Sequence, residues 1–242
     1  GDNQEYAHLL IPAAIIYKQI LEVTGAEMLW VPGIRMCDGI AADYAEKQKY
    51  LKFTHNFDDD ILSASRNMAK RYRCNTSHGQ KIENYALQIF DAMKKFHGLG
   101  TRERLLIQIA SILHDCGKFI SLRDSSACAY NIIMATEIIG LSHAEREIVA
   151  EVVRCNLDAF RYGEGSIRAG KLTAMLRLAN AMDRSHHGRL DDGKLQVKGN
   201  KLIISTSYAG NLALETIAVE DKADFFEEMF GIRPEIRQKR RV

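Results

Sequence analysis

The stretch from Leu105 to Leu113, closing on His114-Asp115-Cys116-Gly117-Lys118, constrains this chain more than any other. The run is largely apolar and reads as a buried helix, with Gly117 as its stop. Burying an adjacent His and Asp costs free energy unless something binds them. A divalent cation does so, because imidazole nitrogen and carboxylate oxygen suit the same borderline metals. Two ligands are too few for a tight site. His78 upstream and Asp183 downstream, each in a helical setting, offer two more. The alternative is that the four side chains hydrogen-bond among themselves as a structural core.

The rest of the composition frames this motif. The chain has 242 residues, 46% hydrophobic and 26% charged, which is the balance of a soluble globular protein with one large domain or two modest ones. No apolar run approaches the roughly 20 residues of a membrane span. The polar start, Gly1-Asp2-Asn3-Gln4-Glu5, lacks a basic n-region, so no signal peptide is expected. A first residue of Gly suggests a tag scar on an excised fragment. Five cysteines, Cys37, Cys74, Cys116, Cys128 and Cys155, are odd in number and hold no C-x-x-C. They read as reduced, mostly buried thiols in a cytoplasmic protein. A formal net charge of +2 gives no reason to expect specific nucleic-acid binding.

Read in order, the chain begins with an amphipathic helix over about 5–23, broken by Gly25. Glu27 to Pro32 reads as a short buried strand, Gly33 as a turn, and about 38–52 as a helix. This looks like the edge of an α/β sheet, and its apolar faces are expected to pack on the helical domain or on a second copy of the chain. Helices follow over 58–73, 77–97, 102–115, 127–139, from Ser142 to about 160, and 169–184. Thr101 is a plausible N-cap, Gly140 a stop, and Ser142-His143-Ala144-Glu145 a capping box. Residues 160–170 read as a loop. After Gly188 the period changes. Lys194–Val197, Lys201–Ser205 and Leu212–Val219 read as strands, with Gly199-Asn200 as a hairpin turn. A short helix over 222–230, a last strand over 232–238 and a basic tail, Arg237-Gln238-Lys239-Arg240-Arg241, end the chain.

The order His78, His114-Asp115, Asp183 resembles the signature of the HD superfamily. Beyond it, Leu176-Arg177-Leu178-Ala179-Asn180-Ala181-Met182-Asp183 and Gly140-Leu141-Ser142-His143-Ala144-Glu145 resemble the C-terminal half of the exopolyphosphatase / guanosine pentaphosphate phosphohydrolase (Ppx/GppA) family. Leu10-Ile11-Pro12-Ala13, Gly25-Ala26-Glu27, Gly33-Ile34-Arg35 and Asp38-Gly39-Ile40 look like the end of that family's second actin-like subdomain. The resemblance implies a catalytic site in actin-like subdomains with Gly-rich phosphate loops. No Asp-x-Gly-Gly loop occurs here. What the resemblance leaves to this chain is binding of a long anion and dimer contacts.

The sequence also departs from that pattern. Ser125 and Ala127 stand where a His-x-His usually precedes the aromatic residue that matches Tyr130, and Asn156 stands where a His commonly follows Val153-Arg154. These departures argue against two-metal phosphohydrolysis.

The expected fold is mainly α: an HD-type helical bundle over 53–190, a short N-terminal α/β remnant of an actin-like domain over 1–52, and a small C-terminal α+β unit over 191–242. If the centre binds metal, His78, His114, Asp115 and Asp183 hold a single Mn²⁺, Fe²⁺, Mg²⁺ or Zn²⁺. Lys118 would contact a substrate phosphate and is the one catalytic candidate. Lys70, Arg71, Lys118, Arg123, Arg154, Arg177 and Arg184 are candidates for polyanion binding, with Arg177 the best single choice. His143, His186 and His187 read as exposed residues; the last two follow Asp183 closely enough to support the ligands from outside. The expected function is that of a C-terminal fragment of a phosphoanhydride hydrolase acting on inorganic polyphosphate or a guanosine alarmone. The fragment itself would be inactive and would partner the actin-like domains missing from it and a second copy of itself. The rivals are an autonomous metal-dependent HD phosphohydrolase and a purely structural or dimerisation domain.

Overall fold

A computed structural model describes residues 7–52, 55–160 and 166–238. The chain divides into one unit ending at His55 and a second beginning at Asn56.

The first unit holds α1 (Ala7–Thr24) and α2 (Met36–Lys47). The strand expected over Glu27 to Pro32 does not form. A strand needs a partner for its backbone groups, and among the described residues of this unit no extended segment is paired with it. Apolar side chains along α1, including Leu10, Ile11, Ile15 and Ile16, are exposed.

The second unit is a helical bundle with a small sheet. Its helices are α3 (Phe57–Arg71), α4 (Thr76–Ala92), the single turn α5 (Lys94–His97), α6 (Thr101–Leu113), α7 (Ser125–Ala135), α8 (His143–Cys155), α9 (Ile167–Met182) and α10 (Ala213–Phe230). A 3₁₀ turn, Cys116–Phe119, follows α6. The strands are β1 (Lys194–Lys198), β2 (Lys201–Thr206) and β3 (Arg233–Gln238).

The centre of the bundle is α6. All but one of its residues from Leu105 to Leu113 are buried, and it packs against α3, α4 and α8. Helix α9 lies against α4, α8 and α10, and eleven of its residues are buried. A helix apolar on every face must lie in the interior. Local signals set the starts. Ser142 and Glu145 form the expected capping box on α8, whereas Gly100, not Thr101, is the N-cap of α6, and Glu103 accepts from its amide at 2.8 Å. Helix α7 ends at Ala135, five residues before Gly140.

The sheet order is β1-β2-β3. β1 and β2 pair antiparallel across Gly199-Asn200, with Lys198 opposite Lys201 and Gly199 at φ +60. A glycine at positive φ in the first turn position matches the twist of a two-residue hairpin. β3 pairs parallel to β2, and α10 makes the crossover. The strand expected over Leu212–Val219 is instead the start of α10. Leu212, Glu215, Val219, Ala223 and Phe226 are buried, a spacing of three and four that only a helix gives. No described helix is long and apolar enough to cross a membrane. Of the loop expected over 160–170, residues 161–165 lie outside the described ones, and Ile167 to Gly170 are instead the first turn of α9. Of the basic tail, Arg237 and Gln238 end β3 and the rest lies outside the described residues.

Candidate metal centre

Three helix ends and a 3₁₀ turn converge beneath the bundle surface. Asn75 caps α4 and accepts the His78 amide at 3.2 Å, which fixes His78 in the first turn. His114 is the C-cap of α6, and Asp115 leads into the 3₁₀ turn. Asp183 is the C-cap of α9. Helix ends suit such a site, because their side chains leave the helical ladder and can turn inward.

The four residues meet. His78 Nδ1 lies 2.8 Å from Asp183 Oδ2, with both side chains buried. The His78 and His114 rings are 5.3 Å apart. His114 Nε2 is 3.5 Å from Asp115 Oδ1. Donor atoms of His78, His114 and Asp115 all lie within 4.8 Å of one another. So do those of His78, Asp183 and His186. His186 is exposed, as its residue type and position suggested, and is also a member of the second donor group. Its place comes from a turn: His186 has φ +58, its amide donates to the Asp183 carbonyl at 2.9 Å, and its ring centroid is 3.9 Å from that of His78.

His114 states the chemistry of the site. Its Nδ1 is 2.7 Å from the Ser111 carbonyl, which only accepts, so Nδ1 carries the proton. Burial holds its pKa below the ordinary value, and the ring is neutral at pH 7. Nε2 therefore presents a lone pair, buried and without a hydrogen-bond partner, toward a carboxylate. A lone pair facing an anion is unfavourable unless a cation lies between them. Two imidazoles and two carboxylates, one imidazole with an orphaned nitrogen, fit a divalent ion.

The carboxylates are held ionised. Desolvation would raise the Asp115 carboxyl, but the Lys118 ammonium, which donates to it, opposes this and helps keep its pKa low. Lys118 Nζ is 2.7 Å from Asp115 Oδ1. Burial also opposes ionisation of Asp183, and hydrogen bonds from His78 and from the Gly188 amide, at 2.8 Å, prevail.

The basic residues divide into separate groups. Lys118 lies at the Asp115 side, in a surface cavity with Arg73 and Cys74. Arg177 and Arg184 line a different cavity of about 230 Å³, with Asn156, Asn180, Asp221 and Lys222. Arg177 is already engaged: it donates to the Cys155 carbonyl at 2.7 Å and to the Asp158 carbonyl, and lies over the Phe225 ring. Arg154 bonds Glu151 at 2.8 Å and lies over Tyr130. Arg123, Lys70 and Arg71 lie at the surface, and Lys70 lines a cavity between α3 and α4 with Arg66 and Glu83. Asn156 is buried, with Oδ1 unpartnered. Cys116 is buried beside Asp115, and desolvation pushes its thiol up to about 12.

Residues 62–219 match the family model described as Ppx/GppA phosphatase, domain III. The chain belongs to the Ppx/GppA phosphatase family. A relative named guanosine-5'-triphosphate,3'-diphosphate pyrophosphatase, from Photobacterium profundum, is 21% identical over 212 residues. That match covers 85% of this chain and 41% of the relative, so the chain spans under half of that protein's length. The Ppx/GppA match takes in α4, α6, α8 and α9, and with them every residue of the candidate centre.

Proposed function

We propose that this chain is the C-terminal part of a phosphoanhydride hydrolase acting on inorganic polyphosphate or guanosine pentaphosphate. In this reading it binds the anionic substrate and holds one divalent ion, while actin-like domains outside this sequence carry the hydrolytic site. The observation that carries the proposal is the basic cavity between α8, α9 and α10, within a span that matches domain III of the family. Arg184 and Lys222 are exposed there, and Arg177 adds its charge from a fixed position. A chain of phosphates neutralised by such cations binds with a steep dependence on salt. The apolar side chains that α1 leaves exposed support contacts with the remaining domains or with a second copy, as a homodimer. A cytoplasmic location accords with substrates of this class.

The second reading is an autonomous HD-type phosphohydrolase, and the orphaned His114 Nε2 favours keeping it. A bound ion there would supply a water of lowered pKa. His78, His114, Asp115 and Asp183 would hold it, and Lys118, 45% exposed beside Asp115, would turn its ammonium to a phosphate oxygen. The mixed donor set accommodates Mn²⁺, Fe²⁺ or Zn²⁺, with Mg²⁺ a poorer match.

Three measurements test these readings, and the last of them separates the two. Metal content of the purified chain should be near one ion per chain and be lost in Asp115→Ala. Polyphosphate affinity should fall with salt at a log–log slope of about −2 to −3 for three neutralised phosphates. Arg184→Gln should weaken binding severalfold and bring that slope about one unit closer to zero. Hydrolysis of phosphoesters or alarmones by the chain alone, lost with Asp115→Ala, would establish the second reading. Salt-independent polyphosphate binding would refute the first.

A further inference from the structure

We infer that His186 is a metal ligand of this centre, on its Asp183 side together with His78. The inference rests on the metal reading of the centre and extends it.

The first observation is the backbone. His186 sits at φ +58, a left-handed conformation that is unfavourable for a residue with a Cβ. Such a residue persists where its surroundings over-determine it, and these positions cluster at functional sites. Here the turn is tied three times. The His186 amide donates to the Asp183 carbonyl at 2.9 Å, the Gly188 amide to Asp183 Oδ1 at 2.8 Å, and the Ser185 amide to Glu215 Oε1 at 3.3 Å. Glu215 is fully buried at the start of α10, so the turn is anchored to the body of the bundle.

The second observation is what the turn presents. It carries the His186 ring to within 3.9 Å of the His78 ring, centroid to centroid. Donor atoms of His78, Asp183 and His186 lie within 4.8 Å of one another. The neighbouring His187 makes the contrast: its Nδ1 is bonded to the Ser185 carbonyl, and it belongs to neither donor group. His78 belongs to both groups, so His186 completes the Asp183 side of the centre as His114 completes the Asp115 side.

This imidazole narrows the ion. Mg²⁺ favours oxygen ligands and retained water, whereas a further imidazole beside His78 and Asp183 favours Zn²⁺, Fe²⁺, Co²⁺ or Mn²⁺.

The test is a Co²⁺ titration of the metal-free full chain, followed by visible absorption and by competition with a chelator. Asn tolerates positive φ and Gly adopts it freely, so His186→Asn and His186→Gly remove the imidazole and keep the turn. Wild type should take up one Co²⁺ that excess Mg²⁺ does not displace. Both variants should bind at least about tenfold more weakly, with a changed visible spectrum. Their metal-free forms should melt no lower than wild type, which separates ligation from a packing role of the ring. His186→Asn that matches wild type in affinity and spectrum, while Asp115→Ala loses the ion, would overturn the inference and leave the centre standing. A wild type that takes up no Co²⁺ would overturn both.

Discussion

His97 shows what a buried imidazole does when it has no cation to bind. It is fully buried; its Nε2 lies 3.0 Å from the Phe90 carbonyl, and its Nδ1 accepts the Leu99 amide at 2.8 Å. Both nitrogens are satisfied by one neutral tautomer, the opposite of His114 with its orphaned Nε2. Burial lowers the His97 pKa below 6.5. The unfolded chain therefore binds a proton at this residue that the folded chain refuses. Stability rises with pH across this window and is lost as pH falls below about 6.5, until the folded-state pKa is passed. The melting temperature should drop between pH 7.5 and about 5.5. His97→Asn, which keeps an acceptor for Leu99, should flatten that drop while lowering the melting temperature throughout. At this scale residue type and order single out His78, His114, Asp115 and Asp183, and the fold brings their side chains near one another. The sequence places His186 near Asp183 as an exposed, outer residue, but not in the donor cluster, because that position depends on a left-handed backbone and an anchor in α10. It is silent on how Arg177 is held, since its guanidinium is bound by carbonyls at the end of α8 and just beyond it.

Among the elements, the 3₁₀ turn after α6 positions Asp115 and Lys118, and Gly117 makes its packing possible. Gly117 was expected as a helix stop, a role that usually calls for positive φ. Its φ is ordinary, and α6 has already ended at Leu113. The need is close approach: a Cβ there would lie 1.8 Å from the Ser125 carbonyl oxygen and 2.6 Å from the Ala129 nitrogen. Both are backbone atoms of α7 and cannot move aside singly. Gly117→Ala should cost about 1–3 kcal/mol or more, read by denaturant unfolding, and should weaken metal uptake by displacing Asp115. The same reasoning explains which elements were legible. Capping chemistry and a two-residue hairpin are local and could be read directly. The start of α10 could not, because its short alternation of apolar and polar residues matched a strand, and only burial against α9 reveals the longer period.

For the molecule as a whole, the buried apolar side chains among the described residues all lie between Ile61 and Pro234, within the unit that begins at Asn56. A chain of residues 56–242 should therefore fold alone, with a cooperative thermal transition and native helical circular dichroism. A span that stays unfolded would mean the first unit supplies part of the core. The helical bundle was legible because amphipathic spacing is a property of each segment. The N-terminal strand was misread because pairing is a property of two segments, and among the described residues of that unit none pairs with Glu27–Pro32.

His78 and Asp183 touch although 105 residues separate them along the chain. An ion shared by α4 and α9 would act as a cross-link that closes this loop, in the manner of a reversible staple. Loop-closure entropy would then favour the folded state, and saturation at about 100 times Kd would add about 2.7 kcal/mol. That increment would fall on global opening, slowing amide exchange in α4, α6 and α9 together, while the termini fray as before.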